Sequence, residues 1–292
     1  MDGILIVDKP EGVTSADVVR IAKRALRVKV GHLGTLDPFA TGVLPLCLGA
    51  GTKIAQFLNV ADKTYAGVIQ LGGETDTGDK TGRVVCEAAV PKLRLEDLDA
   101  LAQRLRGEQL QTPPMYSAIK QDGVPLYKLA RQGEEVDREP RRVIIHRLSL
   151  RLSGRDTIAF EVHCSKGTYV RVLAQDIGVA LRTVAHLATL RRTAFGAFTL
   201  RDAASIDDLR DGRVATVIGL RAALGHLREI EVDHEIVQLA RRGQQAALRA
   251  LPAPAADESV KLIGPGGELV AVISTTADRR WQFARVFAAQ SA

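Results

Sequence analysis

The segment GHLGTLDPFATG, residues 31–42, constrains the fold of this chain more than any other. It places three glycines and a proline around one histidine and one aspartate, and the apolar run VLPLCL (residues 43–48) follows it. Glycine permits close approaches of the backbone, whereas proline restricts both itself and the residue before it. Asp37, directly before Pro38, is therefore expected on a stiff loop and not inside a helix.

The interspersed pattern of strands and helices lacks the regular alternation of a doubly wound sheet. It predicts an α+β fold with a mixed, largely antiparallel sheet. The predicted strands are residues 3–8, 43–48, 63–71, 142–152 and 157–164, the last two as an antiparallel pair. The predicted helices begin at the capping-box sequence TSAD (residues 14–17) or cover residues 52–58, 95–106 and 168–181.

The composition and the hydrophobic pattern of the sequence change near Arg228. A Pro/Ala-rich loop (251–257) is followed by a hairpin pattern around a Gly-rich turn (260–273) and an aromatic strand (281–287). We therefore predict a main domain over residues 1–228 and a small β-rich module over residues 229–292.

The charge of the chain favours a polyanionic partner without identifying one. Forty basic residues oppose 34 acidic ones, which gives a formal net charge of +6 among 292 residues. A basic surface attracts nucleic acid because neutralised phosphates release condensed counterions. The same balance also occurs in proteins that bind no nucleic acid, and charge alone leaves both interpretations open.

The sequence favours a cytoplasmic protein without a structural metal or a membrane partner. No apolar run is long enough to cross a bilayer, and the start MDGILIVDKP carries an acid where a signal peptide is basic. Cys47, Cys86 and Cys164 lie far apart, with no C-x-x-C pair and no histidines at zinc-finger spacing. Reduced thiols are expected.

Several enzyme classes are excluded by their motifs. GAGTKI (49–54) places its lysine wrongly for a phosphate-binding loop, and no G-x-G-x-x-G follows a strand. GETDTGD (73–79) lacks the full ligand set of a calcium loop and is interpreted as a turn. Glycoside hydrolysis normally uses two carboxylates, and only Asp37 has a strong local setting here. An aspartate before a proline is by itself more often a turn residue than a catalyst.

The run GHLGTLDPFATGVLP (31–45) resembles the G-H-x-G-x-L-D-P-x-A-x-G-x-L signature of the TruB family of tRNA pseudouridine synthases. Further blocks agree in order and spacing: GILIVDKPEGVTS, DKTY, GETDTGD, PPMYSAIK, LYKLARQG, CSKGTYVR and AHLATLRR. The resemblance covers roughly the first two-thirds of the chain. The C-terminal module agrees only in kind, and there the family carries an RNA-binding PUA domain.

The resemblance implies an enzyme that converts uridine-55 in the T loop of tRNA to pseudouridine without a cofactor or metal. The uridine is flipped out, its bond from ribose to N1 breaks, and the base rotates and rejoins the sugar through C5. Asp37 matches the catalytic aspartate of the family. One carboxylate can suffice because the base stays in the pocket and no water needs activation. The sequence leaves open whether Asp37 adds covalently to the sugar or base, or removes a sugar proton.

The resemblance also assigns five substrate-binding residues. Arg171 matches the arginine that pairs with the aspartate, and a charge-assisted, bidentate pair would keep the carboxylate ionised. Tyr65 matches the tyrosine that stacks on the target base and can take part in a late proton transfer. Tyr169 and Leu190 match pocket residues, and His32 matches a histidine that contacts the RNA near the flipped nucleotide. Without the resemblance, all five would be interpreted as ordinary packing, ion-pair or loop residues.

Two further residues and one segment are weaker candidates. Lys9 and Arg192 would support the site or contact phosphate. The segment of about residues 111–142, with its prolines and basic end, resembles the RNA-gripping thumb of the family; an ordinary surface excursion is the alternative.

The expected partner is the T stem-loop of tRNA, bound by a monomer with no obligatory protein partner. Two alternatives remain open: an RNA-binding or RNA-chaperone protein without turnover, and a synthase subunit directed by a guide RNA. The first predicts that Asp37→Asn is silent. The thumb block and the lack of long basic tails speak against the second.

Overall fold

The computed structural model of the chain describes residues 1–117, 119–121, 123–214 and 216–288. Its strands, in chain order, are β1 (Gly3–Lys9), β2 (Val30–His32), β3 (Thr41–Leu48), β4 (Lys63–Leu71), β5 (Gly73–Thr75), β6 (Val84–Glu87), β7 (Gly107–Gln111), β8 (Lys120–Gln121), β9 (Val124–Pro125), β10 (Arg141–Leu152), β11 (Thr157–Cys164), β12 (Ala185–Phe195), β13 (Phe198–Thr199), β14 (Arg228–Glu231), β15 (Ser259–Ile263), β16 (Leu269–Thr275) and β17 (Trp281–Val286). Its α-helices are α1 (Ser15–Leu26), α2 (Gly51–Leu58), α3 (Leu95–Arg104), α4 (Leu126–Arg131), α5 (Val170–Ala180), α6 (Ile206–Arg210), α7 (Leu220–Ala223), α8 (His234–Arg241) and α9 (Ala246–Arg249).

The main sheet is mixed and largely antiparallel, which confirms the predicted fold class. Its central path runs β1-β3-β12-β4-β11-β10-β7, with β2 beside β3 and β13 beside β12. Only the β3–β12 pair of this sheet is parallel among the described strands. The antiparallel pairing of β10 with β11 is as predicted. Strand β12, at the centre of the sheet, was not predicted.

Helix α1 begins where the capping-box pattern predicts. The Thr14 hydroxyl accepts a hydrogen bond from the Asp17 amide at 3.0 Å, and the Asp17 carboxylate accepts one from the Thr14 amide at 3.1 Å. These two bonds satisfy amide groups that the first helical turn leaves without partners. Val18 and Ala22 then bury the inner face of the helix, and the basic side chains lie on its other face.

Both faces of the sheet are covered, which explains why β1 is a continuous apolar run. Leu5 and Val7 face one core, to which α1, α3 and α5 contribute apolar side chains. Ile4 and Ile6 face a second core with α2, α7 and residues of the C-terminal sheet. The sheet is thereby fixed between two apolar layers, and it can hold side chains at one of its ends in a defined geometry.

The C-terminal part forms a separate four-stranded sheet in the order β14-β15-β16-β17. Strands β15 and β16 form the predicted hairpin around a Gly-Pro-Gly-Gly turn, and β17 confirms the predicted aromatic strand. Helices α8 and α9, which the pattern did not predict, pack on this sheet. The exact division into domains at residue 228 stays a prediction.

The segment between β7 and β10 leaves the main sheet. It holds a short hairpin (β8 and β9) and helix α4, which occupy the span of the predicted insertion at about 111–142. Ala118 and Asp122 of this insertion lie outside the described residues. Across the described part of the chain, no helix is both long enough and apolar enough to span a membrane.

Candidate active site

Asp37 lies on a loop that is fixed on both sides of it. The Ser15 hydroxyl accepts a hydrogen bond from the Leu36 amide at 2.9 Å and lies 3.1 Å from the Leu36 carbonyl. The Pro38 carbonyl accepts a bond from the Gly12 amide at 2.8 Å. The prediction of a stiffly held, non-helical aspartate is confirmed.

Lys9 supports this loop through hydrogen bonds to backbone carbonyls. Its side chain is fully buried, and its ammonium donates to the carbonyls of Pro10, Val13 and Pro38 at 2.9, 2.6 and 3.3 Å. Burial lowers the pKa of Lys9 to about 8, although the nearby Asp37 carboxylate raises it. All three ammonium protons have an acceptor in the protein, so Lys9 is a support for the loop and does not face a phosphate.

Two glycines of the motif allow Arg192 to pass through the same region. The Arg192 side chain is only 1% exposed, and it donates to the Val43 carbonyl at 2.7 Å and the Gly34 carbonyl at 2.8 Å. Gly42 has a φ of +104°, and a Cβ atom there would lie 2.2 Å from the Arg192 carbonyl oxygen. At Gly34, a Cβ atom would lie 2.8 Å from the Phe195 ring. Close packing of β12 against the loop thus explains these glycines.

A cavity of about 430 Å³ opens beside Asp37, which is within the usual size range for ligand pockets. Asp37, Tyr65, Tyr169, Arg171 and Leu190, five of the six predicted site residues, line it together. A larger cavity of about 1060 Å³ lies at the seam between the main sheet and the C-terminal sheet. The smaller one is the candidate active site because it contains a fixed carboxylate with a buried cationic partner.

His32, the sixth predicted residue, is not among the residues that line this cavity. It lies on β2, opposite Leu46 of β3. Its Nδ1 atom is buried, and within the described residues no group hydrogen-bonds to it. Burial lowers the pKa of His32, and the positive charge of Arg192 lowers it further.

Arg171 is held by three partners, one for each guanidinium nitrogen. Its Nε atom lies 3.0 Å from the Asp37 carboxylate, Nη1 donates to the Thr77 carbonyl at 2.8 Å, and Nη2 donates to the Tyr116 carbonyl at 2.6 Å. The Arg171 side chain is 6% exposed and that of Asp37 is 34% exposed. Arg171 thus approaches Asp37 through Nε, while each of its two terminal nitrogens binds a backbone carbonyl.

The Asp37 carboxyl resists ionisation more than an ordinary aspartate. Burial raises its pKa above the usual 3.8, and this effect outweighs the lowering by Arg171. The charge of Asp79 raises the pKa further. Arg171 thus limits a shift that burial would otherwise make larger, and it orients a carboxylate of raised basicity at the edge of the cavity.

Tyr65 and Leu190 belong to the apolar part of the cavity wall. Tyr65 lies on β4, and Arg192 on β12 is its cross-strand partner, while Leu190 lies opposite Gly67. Burial raises the pKa of Tyr65, and Arg192 offsets this only in part. Tyr65 therefore stays a neutral phenol at neutral pH, which suits a surface for base stacking better than a proton acceptor.

Tyr169 caps helix α5, and Gln111 at the end of β7 fixes it there. The Tyr169 amide donates to the Gln111 side-chain oxygen at 2.9 Å, and the Gln111 amide group donates back to the Tyr169 carbonyl at 3.4 Å. Gln111 is buried. Because Arg171 lies in the first turn of α5, this pair of bonds also sets the position of the arginine.

The comparisons with known proteins agree along the chain. The family model described as "TruB family pseudouridylate synthase (N terminal domain)" matches residues 21–170, and that of the "tRNA pseudouridylate synthase B C-terminal domain" matches residues 171–232. A "tRNA pseudouridine synthase B" of Geotalea uraniireducens is 48% identical over 78% of this chain and 76% of its own length. That of Cupriavidus pinatubonensis is 45% identical over 91% and 87%. The chain belongs to the TruB family.

A solved structure supports the same fold. A chain in the crystal structure of the archaeal box H/ACA sRNP Nop10-Cbf5 complex superposes with a TM-score of 0.72 at 24% sequence identity, over 98% of this chain and 86% of that one. At this level of identity the likeness shows the fold alone. Because the superposition covers 98% of this TruB family member, it includes both the main sheet and the C-terminal sheet.

Residues of the GETDTGD block position the site and were missed as functional residues. The block does form a turn, as predicted, but its Thr77 carbonyl binds Arg171. Asp79 is buried, and its carboxylate accepts bonds from the Thr77 hydroxyl at 3.0 Å, the Thr81 amide at 2.9 Å and the Thr81 hydroxyl at 2.5 Å. Agreement with the family in this block was the available signal for its function.

Within the described residues, no group of three or more His, Cys, Asp or Glu side chains could hold a metal ion. The side chains that line the cavity include the Asp37 carboxylate, two tyrosines, and the cationic groups of Lys63, Lys166, Arg171 and Arg192.

Proposed function

We propose that this chain isomerises uridine-55 in the T loop of tRNA to pseudouridine, with Asp37 as the catalytic carboxylate. The observation that carries this proposal is the Asp37–Arg171 pair at 3.0 Å on the wall of a cavity that Tyr65 and Leu190 also line. The names of the relatives in other bacteria describe the same activity.

The reaction exchanges one bond of the ribose for another. The C1′–N1 bond breaks, a C1′–C5 bond forms, C5 loses its proton and N1 gains one. Substrate and product are isomers, so the step needs no water, oxidant or other co-reactant. Asp37 is the group that reaches the sugar or the ring, by covalent addition or by removal of a sugar proton.

The surrounding residues bind and orient the flipped base. Tyr65 stacks on the uracil, and Tyr169 and Leu190 enclose it. Unstacking the uridine costs roughly a few kcal/mol, which contacts in the cavity and with phosphates offset. His32, outside the cavity lining, is proposed to contact the RNA next to the flipped nucleotide.

The other parts of the chain bind the rest of the tRNA. Residues 1–228 form the catalytic domain, the insertion at about 111–142 acts as an RNA-gripping thumb, and residues 229–292 form a PUA-like RNA-binding module. The protein acts in the cytoplasm as a monomer without a cofactor or an obligatory protein partner.

The test is to incubate the purified chain with an unmodified tRNA transcript and to map pseudouridine along it. Conversion at position 55 by the protein alone supports the proposal. Asp37→Asn abolishes the conversion and leaves the affinity for tRNA nearly unchanged, because the amide keeps the size of the side chain but loses its reactive charge. The matched control is Asp99→Asn, on the exposed face of α3, which keeps full activity.

Two outcomes would contradict the proposal. Absence of pseudouridine after incubation with folded wild-type protein would refute the assigned reaction. Full conversion by Asp37→Asn would remove the catalytic role of this carboxylate. An RNA-binding protein without turnover predicts the first outcome together with unchanged tRNA binding by Asp37→Asn.

A further inference from the structure

The cationic side chains around the cavity differ in how many of their protons the protein itself binds. Arg171 uses all three of its nitrogens on the Asp37 carboxylate and two carbonyls. Arg192 donates to the carbonyls of Val43 and Gly34. Lys9 has three carbonyl acceptors. Each of these three buried groups is thus fixed by at least two acceptors of the protein, although the two guanidinium groups keep further N–H donors.

Lys63, at the start of β4, has the fewest acceptors among these buried cationic side chains. It lines the cavity and is 8% exposed, and within the described residues its ammonium has one hydrogen-bond acceptor, the Ala61 carbonyl at 2.5 Å. The ring of Phe195 covers another side of the ammonium, with its centroid 4.6 Å away. An ammonium group carries three protons, so Lys63 has donors to spare in a place where burial makes an unsatisfied charge costly.

The electrostatic surroundings of Lys63 are those of an anion site. Burial lowers the pKa of Lys63 to about 8, and the positive charges of Arg192 and Lys166 lower it further. Asp62 opposes this effect, but none of its carboxylate oxygens forms an ion pair with Lys63 within the described residues. Several cations are thus held near one another without an equal number of anions. A bound anion would relieve this repulsion.

The position of Lys63 indicates which part of an RNA it meets. Lys63 pairs with Cys164 across the sheet, two residues before the exposed Lys166, and the exposed Asn59 and Lys166 also line the cavity. Asp37 and Arg171 hold the reactive end. Burying a charged phosphate is costly, so we expect a nucleotide whose base lies against Tyr65 to keep its backbone toward the exposed residues.

We propose that Lys63 binds a backbone phosphate that flanks the flipped uridine. This inference rests on the proposed function, since it assumes that the uridine enters this cavity. Lys63 is a binding residue in it and takes no part in breaking the glycosidic bond. Its contact anchors the nucleotide from the backbone side while the base is in place beside Asp37.

The test is a double-mutant cycle between the lysine and the phosphate. The protein is Asp37→Asn, which prevents turnover of the ligand, with either Lys63 or Lys63→Met. The ligands are T-arm RNA hairpins with a natural linkage or with a neutral methylphosphonate on the 5′ or the 3′ side of the target uridine. Dissociation constants are measured over a series of salt concentrations.

We expect Lys63→Met to weaken binding of the natural hairpin by roughly tenfold, the value of one charge-assisted hydrogen bond. The salt slope of the affinity falls by about one. One of the two neutral linkages weakens binding to the Lys63 protein similarly and has little further effect on Lys63→Met. Lys63→Arg, which keeps the charge, restores most of the affinity. The control is Lys92→Met, at an exposed position before α3. In this variant the neutral linkage weakens binding as much as it does with Lys92 in place.

Additive effects of Lys63→Met and of both neutral linkages would overturn the proposal, as would unchanged affinity of Lys63→Met. In those cases Lys63 acts only through its packing on Phe195. Circular dichroism spectra of the variants show that they are folded before affinities are compared. The cycle uses binding alone, whereas the proposed function is judged by pseudouridine formation with the wild-type chain, so each can fail without the other.

Discussion

Arg171→Lys separates the charge of Arg171 from its geometry. The lysine keeps a positive charge near Asp37, so the electrostatic effect on the carboxylate is largely kept. It cannot reach Asp37, the Thr77 carbonyl and the Tyr116 carbonyl at once, as the three guanidinium nitrogens do. The substitution therefore releases the turn that follows β5 and the first part of the insertion from the catalytic loop.

The magnitude follows from the hydrogen bonds lost. Two bonds from a charged donor to backbone carbonyls disappear, at about 1.5–3 kcal/mol each, and the lysine recovers part of this through one remaining bond. We expect the free energy of unfolding to fall by about 2–4 kcal/mol. A carboxylate displaced by about 1 Å loses roughly a hundredfold in turnover.

Stability is measured by urea unfolding followed by circular dichroism, because the single tryptophan, Trp281, lies in the C-terminal sheet and reports on a different part of the molecule. Turnover is followed as release of tritium from C5 of the uridine. Arg104→Lys, at the exposed end of α3, is the matched control and changes neither quantity. If Arg171→Lys unfolds and turns over like the wild type, the three-partner geometry of Arg171 is unimportant and the reasoning fails.

Further predictions concern Asp37 and the glycines of the motif. The pKa of Asp37 in the folded protein lies above its usual 3.8, so the folded state binds the proton of this carboxyl more tightly than the unfolded state does. The stability that this proton contributes is complete below pH 3.8 and is lost as the pH rises through the folded pKa. Asp37→Asn is therefore more stable than the wild type in urea at pH 7, and the difference vanishes toward pH 3; a less stable variant at pH 7 would contradict this. Turnover needs the carboxylate and falls on acidification through the same raised pKa, which a pH profile of kcat/KM measures because that ratio reports on the free enzyme. Gly42→Ala combines a φ of +104° with a Cβ 2.2 Å from the Arg192 carbonyl and destabilises by about 2–5 kcal/mol. Gly167→Ala has a φ of +84° and open space, so it costs only about 1–2 kcal/mol in the same urea assay.

The parts of the fold with local signals were predictable from the sequence. Helix α1 starts at its capping box, and the β15–β16 hairpin turns at its glycines, because each signal acts over a few neighbouring residues. The stiffness around Asp37 also follows from its neighbours in the chain. The identity of the site residues came from agreement with the family, since each of them alone resembles an ordinary packing residue.

Strand β12 shows where local signals fail. Its sequence AHLATLRRTAF is rich in residues that favour helices, and two register shifts against β4 interrupt its alternation. It becomes a strand because β3 and β4 both pair with it, an effect of tertiary structure.

The partners of Arg171 were also beyond reach of the sequence. Two of the three are backbone carbonyls, which every residue possesses. The residue types at positions 77 and 116 therefore do not indicate the contact. The donors that Lys63 has to spare likewise emerge only when every acceptor around it is counted.

The parallel pairing of β3 with β12 affects the order in which the molecule is assembled. The bond from Arg192 to Val43 joins residues 149 positions apart in the chain. During synthesis, the Asp37 loop leaves the ribosome long before β12, the strand that completes its sheet. Contacts between residues so far apart in the sequence are slow to form. A nascent chain therefore stays without a complete active site until residue 195 has emerged, and until then the part of the β3 edge that β2 does not cover is exposed to other chains and to chaperones.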